Sequence, residues 1–466
     1  MRTARVTQIF YASSLYGAAT LAAALDSGAF AAAGRRLLLV ANNAQTPETS
    51  PALDEMPGFE RLRDRFDGVV SWNEAIAPFH PGGWSPRRDD LPLWERYLRL
   101  LWGLGADRVE LAVESIQVAP ALTVAQVFPD APVDVYADGL MSYGPTRNRI
   151  DPLVGERVRR LLHLDLVPGL EPLLLQEFGA RPEVVPAEAF VKVIAELSDA
   201  VGPRESGETA HKAQKAQPAE TSETSETERT ADPEGPALLL GQYLAALGIL
   251  TPEEEEELHL RMVRGATARG HRRIVFKPHP TAPASWTRAL VEEAGALGAE
   301  LTVLESPLLA EVVYRRTRPS LVVGCFSTAL LTAGTFYGIP VARVGTEPLL
   351  DRLTPYQNSN RIPLTIVDAV VPEILDEHGA GVAAGPGELA GLVRAVGFAM
   401  QSGIRPDLRA DAEAFLAARP DDRVLRYFKR RRLTALGLPG GLPVPRGAAL
   451  RKVVRRARRL RRAALR

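Results

Sequence analysis

One cysteine, Cys325, stands among 466 residues. No internal disulfide framework can form, and a reducing compartment suits the chain. No stretch reaches the ~20 apolar residues that a membrane-spanning helix requires. Net charge is missing as well, with 56 Lys and Arg against 56 Asp and Glu. That balance hides an asymmetry. From Arg423 to Arg466 there are 16 basic residues and no acidic one, so the rest of the chain carries a net −16. Large apolar side chains are almost absent from residues 203–235, where "TSETSETE" is of low complexity. Such a composition cannot bury enough surface to offset its ordering entropy, and the stretch reads as a linker or insertion.

What is present points to a globular α/β chain. Hydrophobic residues make up 46%, enough for ordinary cores, and the length suits two or three domains of ~150 residues. The opening "MRTARVTQIFYASSLYGAATLAAALDSG" has the basic and apolar content of an export signal. Its first apolar run, Val6 to Ala12, nevertheless contains Thr7 and Gln8, and a helical pattern follows from Leu15, so strand then helix is the favoured reading. Further strand candidates are "RRLLLVAN", "DGVVSW", "RVELAV" and "PVDVYA", then "ALLLGQYL", "RRIVFKP", "ELTVLES", "SLVVGCF" and "IPVARVG". In the second half, helices are expected over 252–269, 284–297, 307–316 and 327–337. Short Val/Ile/Leu-rich strands alternating with helices indicate βαβ units and parallel sheets. The expected architecture is two Rossmann-like, doubly wound domains facing across a cleft. The first covers 1–202 and the second 236–400, joined through 203–235. A helical segment, 401–445, and a basic tail, 446–466, follow. The five glutamates of "TPEEEEELHLRM" suggest an acidic site, but Thr251, Pro252 and Glu254 have the spacing of a capped helix start, which is the preferred reading.

Ligands of open α/β sheets bind beyond the carboxyl ends of the strands, and three such ends carry chemistry. Asp138-Gly139 directly follows "VDVY". The acid is a candidate proton acceptor, or it forms an Asx-turn with its own backbone. In "RRIVFKPHP", His279 lies between two prolines that restrict its backbone. It is placed to meet a phosphate or carry a proton, with Lys277 as a second cation, or the loop is simply stiffened. His80 in "FHPGG" repeats the dipeptide without a preceding strand. In "SLVVGCFSTALLTAG", Ser327 and Thr328 occupy a helix start, where free N–H groups and hydroxyls suit an anion; plain capping is the alternative. Cys325 reads as a small buried residue rather than a nucleophile. Taken together, an acid on one domain and a phosphate cradle on the other suit transfer from a nucleotide-activated donor.

These three motifs, with the surrounding "FKPHP" and "GCFSTALLTAG", resemble the acidic-Gly, His-Pro and paired-hydroxyl motifs of bacterial sialyltransferases and polysialyltransferases. The resemblance runs through most of residues 5–400. It implies a GT-B fold and a CMP-sialic acid or related nonulosonic acid donor. It also implies inverting transfer to a glycan hydroxyl, with no metal or other cofactor. In such enzymes the second acid of the pair is the general base, which maps to Asp138. The histidine contacts the donor phosphate and assists the leaving CMP, which maps to His279 beside Pro280. The hydroxyls hold the phosphate, mapping to Ser327 and Thr328. Gly139 and Lys277 are counted with the donor site. Two departures stand out: Ala137 replaces the first acid, and Thr328 replaces a serine. Single transfer and polymer synthesis, as for a cell-surface or capsular polysaccharide, both fit.

The tail "AALRKVVRRARRLRRAALR" places apolar residues at helical spacing with arginines opposite. A basic amphipathic helix suits an anionic membrane surface. Nucleic acid attracts the same charges, but no aromatic interleaving or recognition motif accompanies them. A cytoplasmic enzyme, held on the inner face of the cell membrane through 446–466 and acting on a lipid-linked glycan, is the expectation. The other readings are a GT-B enzyme using CMP-Kdo or a UDP-sugar, and a non-catalytic glycan-binding protein.

Overall fold

The computed structural model describes residues 5–137, 139–201, 208–209, 235–278, 284–304, 306–375 and 385–443. Two sheets organise them. The first takes β1 (Val6–Ala12), β2 (Arg35–Val40), β3 (Gly68–Ser71), β4 (Arg108–Glu114), β5 (Val133–Ala137), β6 (Val158–Leu164) and β7 (Arg181–Val185). These seven strands lie in the order β3-β2-β1-β4-β5-β6-β7, and each neighbouring pair is parallel. The central strands are buried on both faces, as a parallel sheet covered by helices requires. Val133 through Ala137 are all buried.

The second sheet takes β8 (Glu208–Thr209), β9 (Ala237–Leu240), β10 (Arg273–Lys277), β11 (Glu300–Leu304), β12 (Leu321–Gly324) and β13 (Val341–Arg343). Its order is β13-β12-β9-β10-β11-β8. It is parallel apart from β8, which pairs antiparallel with β11. β8 falls inside the stretch expected as a linker. The two doubly wound domains anticipated from the strand and helix alternation are thus present.

Two strands of the first sheet escape the sequence pattern. β6 reads "VRRLLHL", and its paired arginines break the apolar run. They pair with a buried acid on β5: Arg159 and Arg160 reach Asp134 at 2.8 and 3.0 Å. β7 contains Pro182, which is tolerated because β7 is an edge strand.

The domains are packed against each other. The Ala187–Ala200 helix of the first domain meets the Ala310–Thr317 and Thr328–Tyr337 helices of the second. Phe190 lies against Phe336 with ring centroids 6.0 Å apart, and Thr335 Oγ1 donates to the Leu166 carbonyl at 3.0 Å. The Pro386–Gln401 helix then brings the chain back to the first domain, where Gln401 Nε2 donates to the Arg147 carbonyl at 2.8 Å. Among the described residues no helix is long and apolar enough to cross a membrane.

Candidate active site

A doubly wound sheet opens a crevice where its winding reverses. In the first sheet the reversal falls between β1 and β4, and in the second between β9 and β12. Ser13 follows β1 and Glu114 closes β4. Gly241 follows β9, and Ser327 and Thr328 follow β12. All five line one cleft of about 570 Å³ between the domains. Both crevices therefore open into the same space.

The two sides touch at the Gly139 loop. Ser327 caps the ten-residue Thr328–Tyr337 helix, its Oγ accepting from Ala329 N–H at 3.2 Å. Its carbonyl accepts from Leu330 N–H at 3.1 Å. Two of the first helical amides are thus occupied by the cap itself. Thr328 Oγ1 in turn accepts from Leu140 N–H of the first domain at 3.4 Å. A Cβ on residue 139 would stand 3.1 Å from that oxygen, so glycine permits the close approach.

Asp138, His279 and Pro280 lie outside the described residues, as does the 446–466 tail. Ala137 and Gly139, on either side of Asp138, both line the cleft with Ser327 and Thr328. Lys277 ends β10 and is not among the lining residues. Its ammonium is set in the electrostatic field of Glu311. Burial lowers the Lys277 pKa, and Glu311 partly opposes this. Glu311 accepts from Thr332 Oγ1 at 2.7 Å, and burial pushes its own pKa up. Cys325 is fully buried, and burial raises its thiol pKa far above the ordinary range. That is a packing role, not a nucleophile's.

Three cleft features were missed from the sequence. Glu114 ends an apolar run, the same local signal that marked Asp138. Its Oε2 accepts from Ser13 N–H at 3.3 Å and Ser13 Oγ–H at 2.7 Å, and burial pushes its pKa up. The second feature is the loop after β9. Glu255 accepts from the backbone N–H groups of Leu244 and Ala245, each at 2.8 Å. His259 Nε2 accepts from Gln242 N–H at 3.0 Å. Two side chains one helical turn apart thus hold the cleft-lining Gln242–Leu244 segment. The capping box of Thr251 and Glu254 forms as expected, with Pro252 in the first turn. Glu255 is the one glutamate of the run that turns inward, 0% exposed. The third feature is Arg147, a cleft-lining cation carried by the loop that leaves β5.

Two doubly wound domains closing one cleft between their sheet ends are the GT-B arrangement, shared by enzymes that handle nucleotide-activated sugars. The family model described as alpha-2,8-polysialyltransferase (POLYST) matches residues 8–346. The chain belongs to that family and is a glycosyltransferase of sialic acid. All three motifs lie within the matched span; the C-terminal helices and basic tail lie beyond it. No curated protein matches the chain. Among solved structures, the GT-B domain of a sialyltransferase from Photobacterium damselae is similar at 10% identity and a TM-score of 0.39, over 78% of this chain and 96% of that one. A glycosyltransferase from Rickettsia africae gives 10% and 0.37 over 94% and 97%. A UDP-GlcNAc 2-epimerase from Methanocaldococcus jannaschii gives 12% and 0.37 over 72% and 83%.

Proposed function

We propose that this enzyme transfers a sialic acid, or a related nonulosonic acid, from a CMP-activated donor to a glycan hydroxyl, with inversion and without a metal. Asp138 takes the proton of the acceptor hydroxyl as its oxygen bonds to the anomeric carbon. The bond from that carbon to the phosphate oxygen breaks, and CMP leaves with the electron pair. His279 and the hydroxyls of Ser327 and Thr328 stabilise the charge that builds on the phosphate. The tail, 446–466, holds the enzyme on an anionic membrane surface on the cytoplasmic side, near a lipid-linked acceptor.

One observation carries this reading most directly. The loop that bears Asp138 touches Thr328 at the helix start of the opposite domain, and both motifs lie in the family-matched span. A base and a phosphate-binding group on facing domains are what direct displacement between two bound substrates requires.

The test uses the full chain with CMP-sialic acid and a sialylated oligosaccharide. CMP release with growth of the acceptor is expected, and CMP should raise the melting temperature before UMP or UDP does. Asp138→Asn should lower transfer by roughly 10²–10⁴ while CMP affinity in calorimetry is kept. Stabilisation by UDP rather than CMP, or full activity in the variant, would overturn the assignment.

A further inference from the structure

Arg147 is a cation that the fold holds in place and that has no counter-charge among the described residues. Its backbone is clamped from two directions. Its N–H donates to Gln117 Oε1 at 2.7 Å, and its carbonyl accepts from Gln401 Nε2 at 2.8 Å. Its side chain is half-buried, and its Nε is enclosed without a hydrogen-bond partner. Among the described residues no carboxylate pairs with it. Burial lowers its pKa. A half-buried guanidinium whose enclosed Nε has no partner is unfavourable, and a fold that fixes one at a cleft wall is suited to an anion arriving from outside.

The surroundings narrow the class of anion. Arg147 lines the main cleft and also an adjoining pocket of about 400 Å³. Besides Arg147 and Asn148 of the first domain, that pocket is walled by Leu247, Ile249 and residues 357–360 of the second domain and by Gln401, and has no acidic or second basic side chain in its lining. Neutral amides and a hydroxyl suit sugar hydroxyl and acylamino groups. The single planar guanidinium suits a carboxylate, which it can meet through two parallel N–H···O bonds.

Resting on the proposed transfer reaction, we propose that Arg147 and the amide-lined pocket beside it form the acceptor subsite, in which Arg147 binds the carboxylate of an acidic sugar at the growing end. It sets acceptor specificity. The subsite makes the enzyme prefer a carboxylated acceptor over a neutral one.

The experiment compares the full chain with Arg147→Gln and Arg147→Lys. Both backbone clamps are independent of the side chain, and the Arg147→Lys variant keeps a positive charge should the neutral variant fold poorly. Calorimetry with a sialylated oligosaccharide alone, without donor, should show at least tenfold weaker binding in the Gln variant, about 1.4 kcal/mol. The Lys variant should fall between. In transfer assays the acceptor KM should rise while kcat and CMP affinity hold. An acceptor whose terminal carboxylate is converted to an amide should bind wild type and variant alike. Unchanged acceptor affinity in both variants would overturn the proposal, as would a loss of CMP affinity, which would put Arg147 on the donor. Failure of CMP to bind wild type would refute the donor reading instead and leave the acceptor measurement readable.

Discussion

At the scale of single residues, the cleft holds groups that the fold alone would not choose. Glu114 is pushed above the ordinary carboxylate range by burial, and the two donations from Ser13 offset this only in part. A carboxyl with a raised folded-state pKa binds its proton more tightly in the native than in the unfolded chain. Its ionisation therefore destabilises the fold as pH rises from the unfolded pKa through the folded one. Glu114→Gln cannot ionise, and its side-chain oxygen can still accept from Ser13. The variant should gain stability over wild type as pH rises out of the carboxylate range, with the gap constant above the folded pKa. Urea unfolding at a series of pH values checks this; a gap independent of pH would show that Glu114 is not strained by its charge. Natural chains keep such a group where the chemistry of a site needs it.

Within single elements, the Pro252–Ala268 helix shows what sequence can and cannot convey. Its start was legible because capping is local: Thr251, Pro252 and Glu254 act on amides within one turn. The inward turn of Glu255 was not, although the buried stripe Glu255, Leu258, His259, Met262, Val263, Ala266 has regular helical spacing. A charged residue on that stripe is masked by four charged neighbours. β6 was lost for a related reason, since the pairing of Arg159 and Arg160 with Asp134 is long-range. His259 supplies the prediction at this scale. Burial lowers its pKa to about 4, against ~6.5 for the unfolded chain. The unfolded state then binds more protons between those values, so stability is full above pH ~6.5 and falls as pH drops toward 4, by about 3 kcal/mol in total. His259→Gln, which can still accept from Gln242 N–H, should flatten that part of the profile. An unaltered slope in the variant would assign the acid sensitivity elsewhere.

Over the whole molecule, the strand ends could each be found in the sequence, but their convergence could not. Which ends become neighbours depends on sheet order, and the β1/β4 and β9/β12 reversals are set by packing of distant segments. Their meeting in one cleft depends further on an apolar seam. A contiguous buried cluster runs from Leu15, Phe190 and Ile194 of the first domain to Leu330 and Ala333 of the second. Phe190 is fully buried there, between Tyr16, at 5.1 Å, and Phe336, at 6.0 Å. Arg405, 4% exposed, adds a polar tie, donating to the Leu173 carbonyl and to Gln176 Oε1 at 3.1 Å each. Domains joined by a broad hydrophobic interface move and melt together, whereas weakly joined ones do not. Phe190→Ala should cost about 3–5 kcal/mol by the usual loss for a buried aromatic. Because the cavity opens at the seam, the cost should fall on domain coupling as well as on the first domain. Calorimetry should show one transition in wild type and two partly separated ones in the variant. Acceptor transfer should drop further than CMP affinity, since only transfer needs both domains in register. A single, equally cooperative transition at a lower temperature, with transfer and CMP binding reduced alike, would mean that Phe190 supports its own domain and not the alignment of the cleft.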